Sequence, residues 1–172
     1  MTDRPIIFSG PMVQALFDET KTQTRRLATS PLRLCKPGDR LYVREAWAKT
    51  SVAPIVETID NPWTVYRVAD NRCDYGGPWK PSIHMKRVDS RITLVITDVK
   101  TEPLQNITEE DAKAEGAACV AERIGGKQRH VVGFGRIWEA LHQKPGQRWG
   151  DNPEVVALTF TVQKHNIDRH HD

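Results

Sequence analysis

Arg91-Ile92-Thr93-Leu94-Val95-Ile96-Thr97-Asp98-Val99 reads as a strand, because β-branched side chains suit a pleated, half-buried surface and lose rotamer freedom in a helix. Its richness in Ile and Val predicts a central place in a sheet. Upstream, Lys36-Pro37-Gly38-Asp39 is a turn signal, and Leu41 to Trp47 follows as a second strand. Strict alternation turns Leu41, Val43, Glu45 and Trp47 to one face and Tyr42, Arg44 and Ala46 to the other. Glu45 therefore falls on the apolar phase, where a carboxylate must be paired or line a cleft. Pro5 to Phe8, Thr64 to Ala69 and Val155 to Gln163 complete the set of expected strands.

Helices flank these runs. Ser9 or Gly10 caps the first, Pro11 suits its first position, and Met12, Ala15 and Leu16 share a face that ends near Asp18 to Thr20. Thr108 caps the second, with Glu109, Glu110 and Asp111 in its first turn and Gly116 as its stop. Glu115 lies in the last turn of that helix, where the dipole disfavours a carboxylate. Residues 120–132 read as a loop around Gly125-Gly126. Phe134 to His142 forms the third helix, with Phe134, Ile137, Trp138 and Leu141 as its apolar face. The element order predicts an α+β fold, a small bent sheet or barrel with helices at its mouth. One domain is expected over 1–163, with loop insertions at 50–63 and 70–87 and a flexible tail at 164–172.

The 172 residues are 27% charged and 38% hydrophobic, which excludes disordered and fibrous classes. A net charge of +3 excludes a polycation, so any nucleic-acid contact must come from a local patch. Cys35, Cys73 and Cys119 are odd in number and form no C-x-x-C pair, so neither a disulfide framework nor a zinc knuckle is expected. Reduced thiols predict a cytoplasmic protein. No apolar run approaches the roughly 20 residues of a membrane span, and the apolar start is too short for a signal peptide. His84 has no second ligand at metal spacing, and no cofactor is expected.

The local patch is Thr20-Lys21-Thr22-Gln23-Thr24-Arg25-Arg26. If it makes one helical turn, Lys21 and Thr24 lie side by side at i, i+3, and an amine beside a hydroxyl is a base beside a nucleophile. Arg25 and Arg26 suit a phosphate. Cations at a helix C-terminus are also favoured by the dipole without any function.

These residues resemble the ASCH domain, a relative of the PUA RNA-binding fold. The family signature Gly-x-Lys-x-x-x-x-Arg is matched by Glu19 to Arg26 at Lys21 and Arg26, with Glu19 standing where the family has glycine. That departure matters if the position needs positive φ or close backbone approach. Lys36 to Leu41 is similar to the family's turn and strand, and Ile107 to Ala112 to its helix start. Arg4-Pro5-Ile6, Pro81 to Met85 and Asn152-Pro153 resemble phage and prophage versions. The resemblance implies a PUA-like bent β-barrel with helices flanking a cleft. It also implies a protein directed at a modified nucleoside or RNA.

Small bacterial members hydrolyse the acetyl amide of N4-acetylcytidine, and by resemblance their catalytic set falls on Lys21, Thr24 and Glu115. Thr24 would attack the carbonyl and Lys21 take its proton, which requires lowering the lysine pKa by an amount worth roughly 4 kcal/mol. Glu115 would be the acid that either hydrogen-bonds the cytosine ring or protonates the leaving amine, and in the alternative to attack Thr24 would only orient a water. Arg25, Arg26, Arg44, Glu45 and Trp47 are the expected substrate- or nucleic-acid-binding residues. The alternatives are a non-catalytic RNA or nucleotide binder and a metal-independent ribonuclease.

Overall fold

The computed structural model describes residues 1–50, 63–68, 75–122 and 125–169. Most of the insertion expected at 50–63, Cys73 with 70–74 of the second loop, Ala69, and His170 and His171 of the tail lie outside them. In chain order the elements are β1 (Asp3–Ile7), α1 (Gly10–Phe17), β2 (Gln23–Leu27), β3 (Arg40–Arg44), β4 (Trp47–Lys49), β5 (Thr64–Tyr66) and β6 (Thr93–Pro103). They continue with α2 (Glu109–Ala114), β7 (Val120–Ala121), β8 (Gln128–Arg129), α3 (His130–Leu141) and β9 (Glu154–Gln163). The chain divides into two compact units. One comprises Met1–Asp18, Gly38–Val95 and Thr161–Asp172; the other comprises Glu19–Pro37 and Ile96–Phe160.

In the first unit the strand order is β1-β3-β6, with β1 parallel to β3 and β3 antiparallel to β6. Pro5 sits in the edge strand β1, where its missing N–H costs the sheet nothing. Gly38, at φ +89, makes the turn into β3. Helix α1 buries Ala15 and Leu16 of the expected face, with Val13 buried in place of Met12, which is half-buried. β4 pairs with β5, and Trp47, Tyr66 and Met85 form a small core there. Residues 164–169 of the expected tail are tied to the first unit. The side chain of Asn166 donates to the carbonyls of Arg87 and Ser90, Thr93 Oγ1 donates to the carbonyl of His165, and Ile167 is buried.

In the second unit the order is β6-β9-β2, with β2 antiparallel to β9. The Arg91–Val99 run thus has a neighbour on β6 in each unit, as its composition predicts. Leu104, Ile107, Ala112, Ala117, Phe134, Trp138 and Val155 form the core, with Ile137 and Trp149 packed against it. Leu141 is exposed and does not join the predicted apolar face of α3. The architecture is α+β with a mostly antiparallel sheet. Among the described residues neither set of strands closes on itself, so the expected barrel is not closed.

Helix α3 begins at His130, inside the predicted loop, and β7 pairs with β8 just before it. Its first residues carry no side-chain cap of their own. Glu109 of α2 supplies one, accepting from the backbone N–H of His130 at 2.8 Å and of Val131 at 3.4 Å. One helix thus satisfies another's orphan donors. The start of α3 is packed so closely that a Cβ on Gly133 would lie 2.0 Å from the Ala118 carbonyl oxygen. Gly133→Ala is expected to cost roughly 1–3 kcal/mol of stability, read as a lowered denaturant midpoint. An unchanged midpoint would mean that this contact relaxes freely.

Candidate functional site

Lys21, Thr24, Arg25, Arg26 and Glu115 all belong to the second unit. The stretch that carries the first four is extended, not helical: Lys21 forms an isolated antiparallel bridge with Glu115, and β2 starts at Gln23. The positive φ of Glu19, 58°, turns the chain out of α1 and into this strand. The expected side-by-side placement of Lys21 and Thr24 on a helical turn is therefore replaced by another geometry. The lysine side chain folds forward along the strand, and its Nζ donates to the Gln23 carbonyl at 2.8 Å. That carbonyl belongs to the peptide linking Gln23 to Thr24, so the ammonium lies against the peptide that carries the hydroxyl.

Helix α2 supplies the counter-charge. Thr108 and Asp111 form a capping box at its start. Its end is a Schellman turn: Ala117 N–H donates to the Ala112 carbonyl, Gly116 N–H to that of Lys113, and Gly116 has φ +76. The two carbonyls left over are taken by the strand lead-in. Thr22 N–H donates to the Ala114 carbonyl, and Lys21 Nζ to that of Glu115 at 2.8 Å. A third bond runs from Lys21 Nζ to Glu115 Oε2 at 3.0 Å. The carboxylate that the helix dipole disfavours is thus offset by an ammonium at the same terminus.

Lys21 is 1% exposed, Thr24 0%, Arg25 3% and Glu115 5%. Burial pulls the Lys21 pKa below its ordinary value; Glu115 opposes that shift, and Arg26 and Arg25 reinforce it. Arg26, half-buried, donates from Nη1 to Thr24 Oγ1 at 3.0 Å. With that bond accepted, the threonine keeps its own proton to give away. Burial also lowers the Arg26 pKa against the pull of Glu115. Arg25 faces carboxylates: Nη2 donates to Glu102 Oε1 and Asp111 Oδ2, both at 2.9 Å, and Nη1 to Glu115 Oε1 at 3.3 Å. Its charge is answered inside the unit, where a phosphate contact was expected.

The remaining expected residues belong to the first unit and are accounted for there. Arg91 grips Glu45 with two bonds, from Nε at 2.9 Å and Nη2 at 3.0 Å, and the same guanidinium lies 4.0 Å from the Tyr66 ring centroid. Trp47 is buried, with Lys80 Nζ 5.1 Å from its ring centroid. Arg44 lies 5.5 Å from the ring centroid of Tyr42. Sequence reasoning missed Gln23, Glu102 and Asp111 as parts of the ion cluster. Glu102 lies beyond the expected Arg91–Val99 strand, in phase with the exposed Asp98 and Lys100, so no local signal marks it as buried. Asp111 was already explained as a first-turn acid of α2, and that hid its second role. Among the described residues no three His, Cys, Asp or Glu side chains gather as metal ligands.

No family model and no curated protein matches the chain. A solved structure does: protein EF3133 from Enterococcus faecalis V583, described as DUF984, is similar over 100% of this chain and 86% of that one, at TM-score 0.50 and 12% identity. The likeness is one of fold. No helix among the described residues is long and apolar enough to cross a membrane.

Glu19 holds a left-handed backbone that glycine adopts without strain. Glu19→Gly is expected to stabilise the protein by about 1 kcal/mol, measured as a higher denaturant midpoint. A lowered midpoint would show that the Glu19 side chain contributes more than its backbone costs.

Proposed function

We propose that the protein is an ASCH-type, PUA-like amidohydrolase that removes the acetyl group from N4-acetylcytidine or a similar nucleoside amide. The observation that carries this reading is the buried contact of Lys21 with Glu115 beside the peptide bearing Thr24. An amine taken out of water holds its proton less tightly, as a lysine base near neutral pH must. Transfer of that proton to Glu115 leaves a neutral amine and a carboxylic acid, one to accept and one to donate.

In the proposed reaction Thr24 Oγ bonds to the acetyl carbon while its proton moves to Lys21 Nζ. The bond from that carbon to N4 breaks, and Glu115 gives N4 its proton. That step already restores the Lys21–Glu115 pair. Water then cleaves the acetyl ester, its oxygen bonding to the acetyl carbon as the bond to Thr24 Oγ breaks, one hydrogen returning to the threonine hydroxyl and the other leaving with acetic acid. Arg26, already bonded to Thr24 Oγ1, holds the nucleophile and adds positive charge where the oxyanion develops. Asp111, with a quarter of its side chain exposed, marks where the cluster meets solvent.

Purified protein incubated with N4-acetylcytidine is expected to release cytidine, with kcat/KM falling as pH climbs through a Lys21 midpoint that lies below the ordinary 10.5, because the Lys21–Glu115 pair then holds no proton for N4. Lys21→Arg keeps the charge but removes the base and should cut the rate by about 10²–10⁴-fold, with the far-ultraviolet circular dichroism unchanged. Turnover of a neutral nucleoside should be nearly independent of salt, whereas an RNA-binding role would weaken steeply with it. Wild-type activity that survives Lys21→Arg would remove Lys21 as the base.

A further inference from the structure

Arg25 makes none of the bonds that the proposed reaction forms or breaks, yet it touches the acid in that reaction. Its Nη1 donates to Gln23 Oε1 at 2.6 Å and to Glu115 Oε1 at 3.3 Å, and its Nη2 donates to Glu102 Oε1 and Asp111 Oδ2 at 2.9 Å. Both terminal nitrogens are fully used, and the remaining donor, Nε, is buried without a partner among the described residues. No N–H of this guanidinium is left facing solvent for a phosphate. Glu115 is divided between two cations, with Oε1 towards Arg25 and Oε2 towards Lys21. A carboxylate fixed at both oxygens cannot turn about its last torsion, which is otherwise broad.

We infer that Arg25 is a positioning residue that fixes the Glu115 carboxylate with Oε2 committed to Lys21, and that Glu102 and Asp111 hold Arg25 in that task. As a statement about turnover, this rests on the function proposed above; as a statement about the Lys21–Glu115 pair, it stands on geometry. The groups bearing on the pair come from each element packed against it. They are Arg25 and Arg26 from β2, Asp111 from α2, Glu102 from β6 with Lys100 paired to it, and His142 after α3, which lies within the field of Arg26.

Two neutralising changes act in opposite directions. Arg25 repels the Lys21 ammonium, so Arg25→Gln should raise the pH at which Lys21 titrates. Glu102→Gln removes a negative charge and leaves Arg25 more of its own charge to give to Glu115. That variant should lower the Lys21 midpoint. A role limited to stability moves neither.

The experiment follows the ε-carbon of Lys21 by NMR across pH in lysine-labelled protein, assigned by its loss in Lys21→Arg, and needs no turnover. Cytidine release is measured on the same proteins. Opposite shifts of the Lys21 midpoint support the inference, together with a fall in kcat of about tenfold or more at nearly constant KM, the scale of lost outer-shell partners. A Lys21 midpoint unmoved in folded Glu102→Gln protein overturns it, and this variant alone decides if Arg25→Gln does not fold. Midpoints that shift in a wild-type protein releasing no cytidine would overturn the proposed function and leave the positioning of Glu115 supported.

Discussion

A buried ammonium requires a counter-charge, and Lys21 finds its own 94 positions away at Glu115. All three of its protons are taken, by the Gln23 carbonyl, the Glu115 carbonyl and the Glu115 carboxylate. The first bond folds the side chain back onto its own strand. The second closes the end of α2, and the third balances the charge. Remove the lysine side chain, and α2 loses a cap while the buried Glu115 carboxylate keeps only Arg25 as its counter-charge among the described residues. Breaking a buried ion pair from one side typically costs about 3–5 kcal/mol. The arrangement of the second unit depends on this one contact more than on any apolar pair.

Stability by itself does not explain why charges are used. Well-packed hydrophobic residues of similar volume generally hold two elements together at least as well as a buried ion pair. Here the opposite solution is carried further, because Arg25 brings Glu102 and Asp111 to the same place. Thr24, wholly buried, is tied to this cluster through Arg26. A group of titratable side chains with one lysine pulled down by burial, against the peptide that carries a buried hydroxyl, offers the parts that proton-transfer chemistry needs, and this is the physical basis of the proposed hydrolase. The first unit uses its charges differently. Glu45 is matched by a bidentate arginine that also stacks on an aromatic ring, a self-contained structural device.

What the sequence revealed depended on whether the cause was local. Thr108, Asp111 and Gly116 mark α2 because capping and left-handed termination act within a few residues. The strand at Arg91–Val99 is legible from its side-chain shapes. The phase of Glu45 announces that it needs a partner, although only the fold identifies Arg91. The basic stretch misleads as a helical turn because it follows α1 directly. The chain leaves the helix through a left-handed Glu19, a conformation that no local signal from glutamate suggests. Lys21 and Glu115 were brought together by family likeness, whereas Glu102 was invisible because its partner, Arg25, lies 77 positions away.

The capping of α3 by Glu109 bears on how the chain acquires its structure. Helix α2 has six residues and α3 twelve, and isolated helices of such lengths are marginal in water. With its opening amides satisfied only by a side chain from α2, α3 does not nucleate as an autonomous local segment. Its first turn and the whole of α2 belong to one cooperative folding unit. Protection of the His130 and Val131 amide protons from solvent exchange therefore reports on the Glu109 contact that joins the two helices.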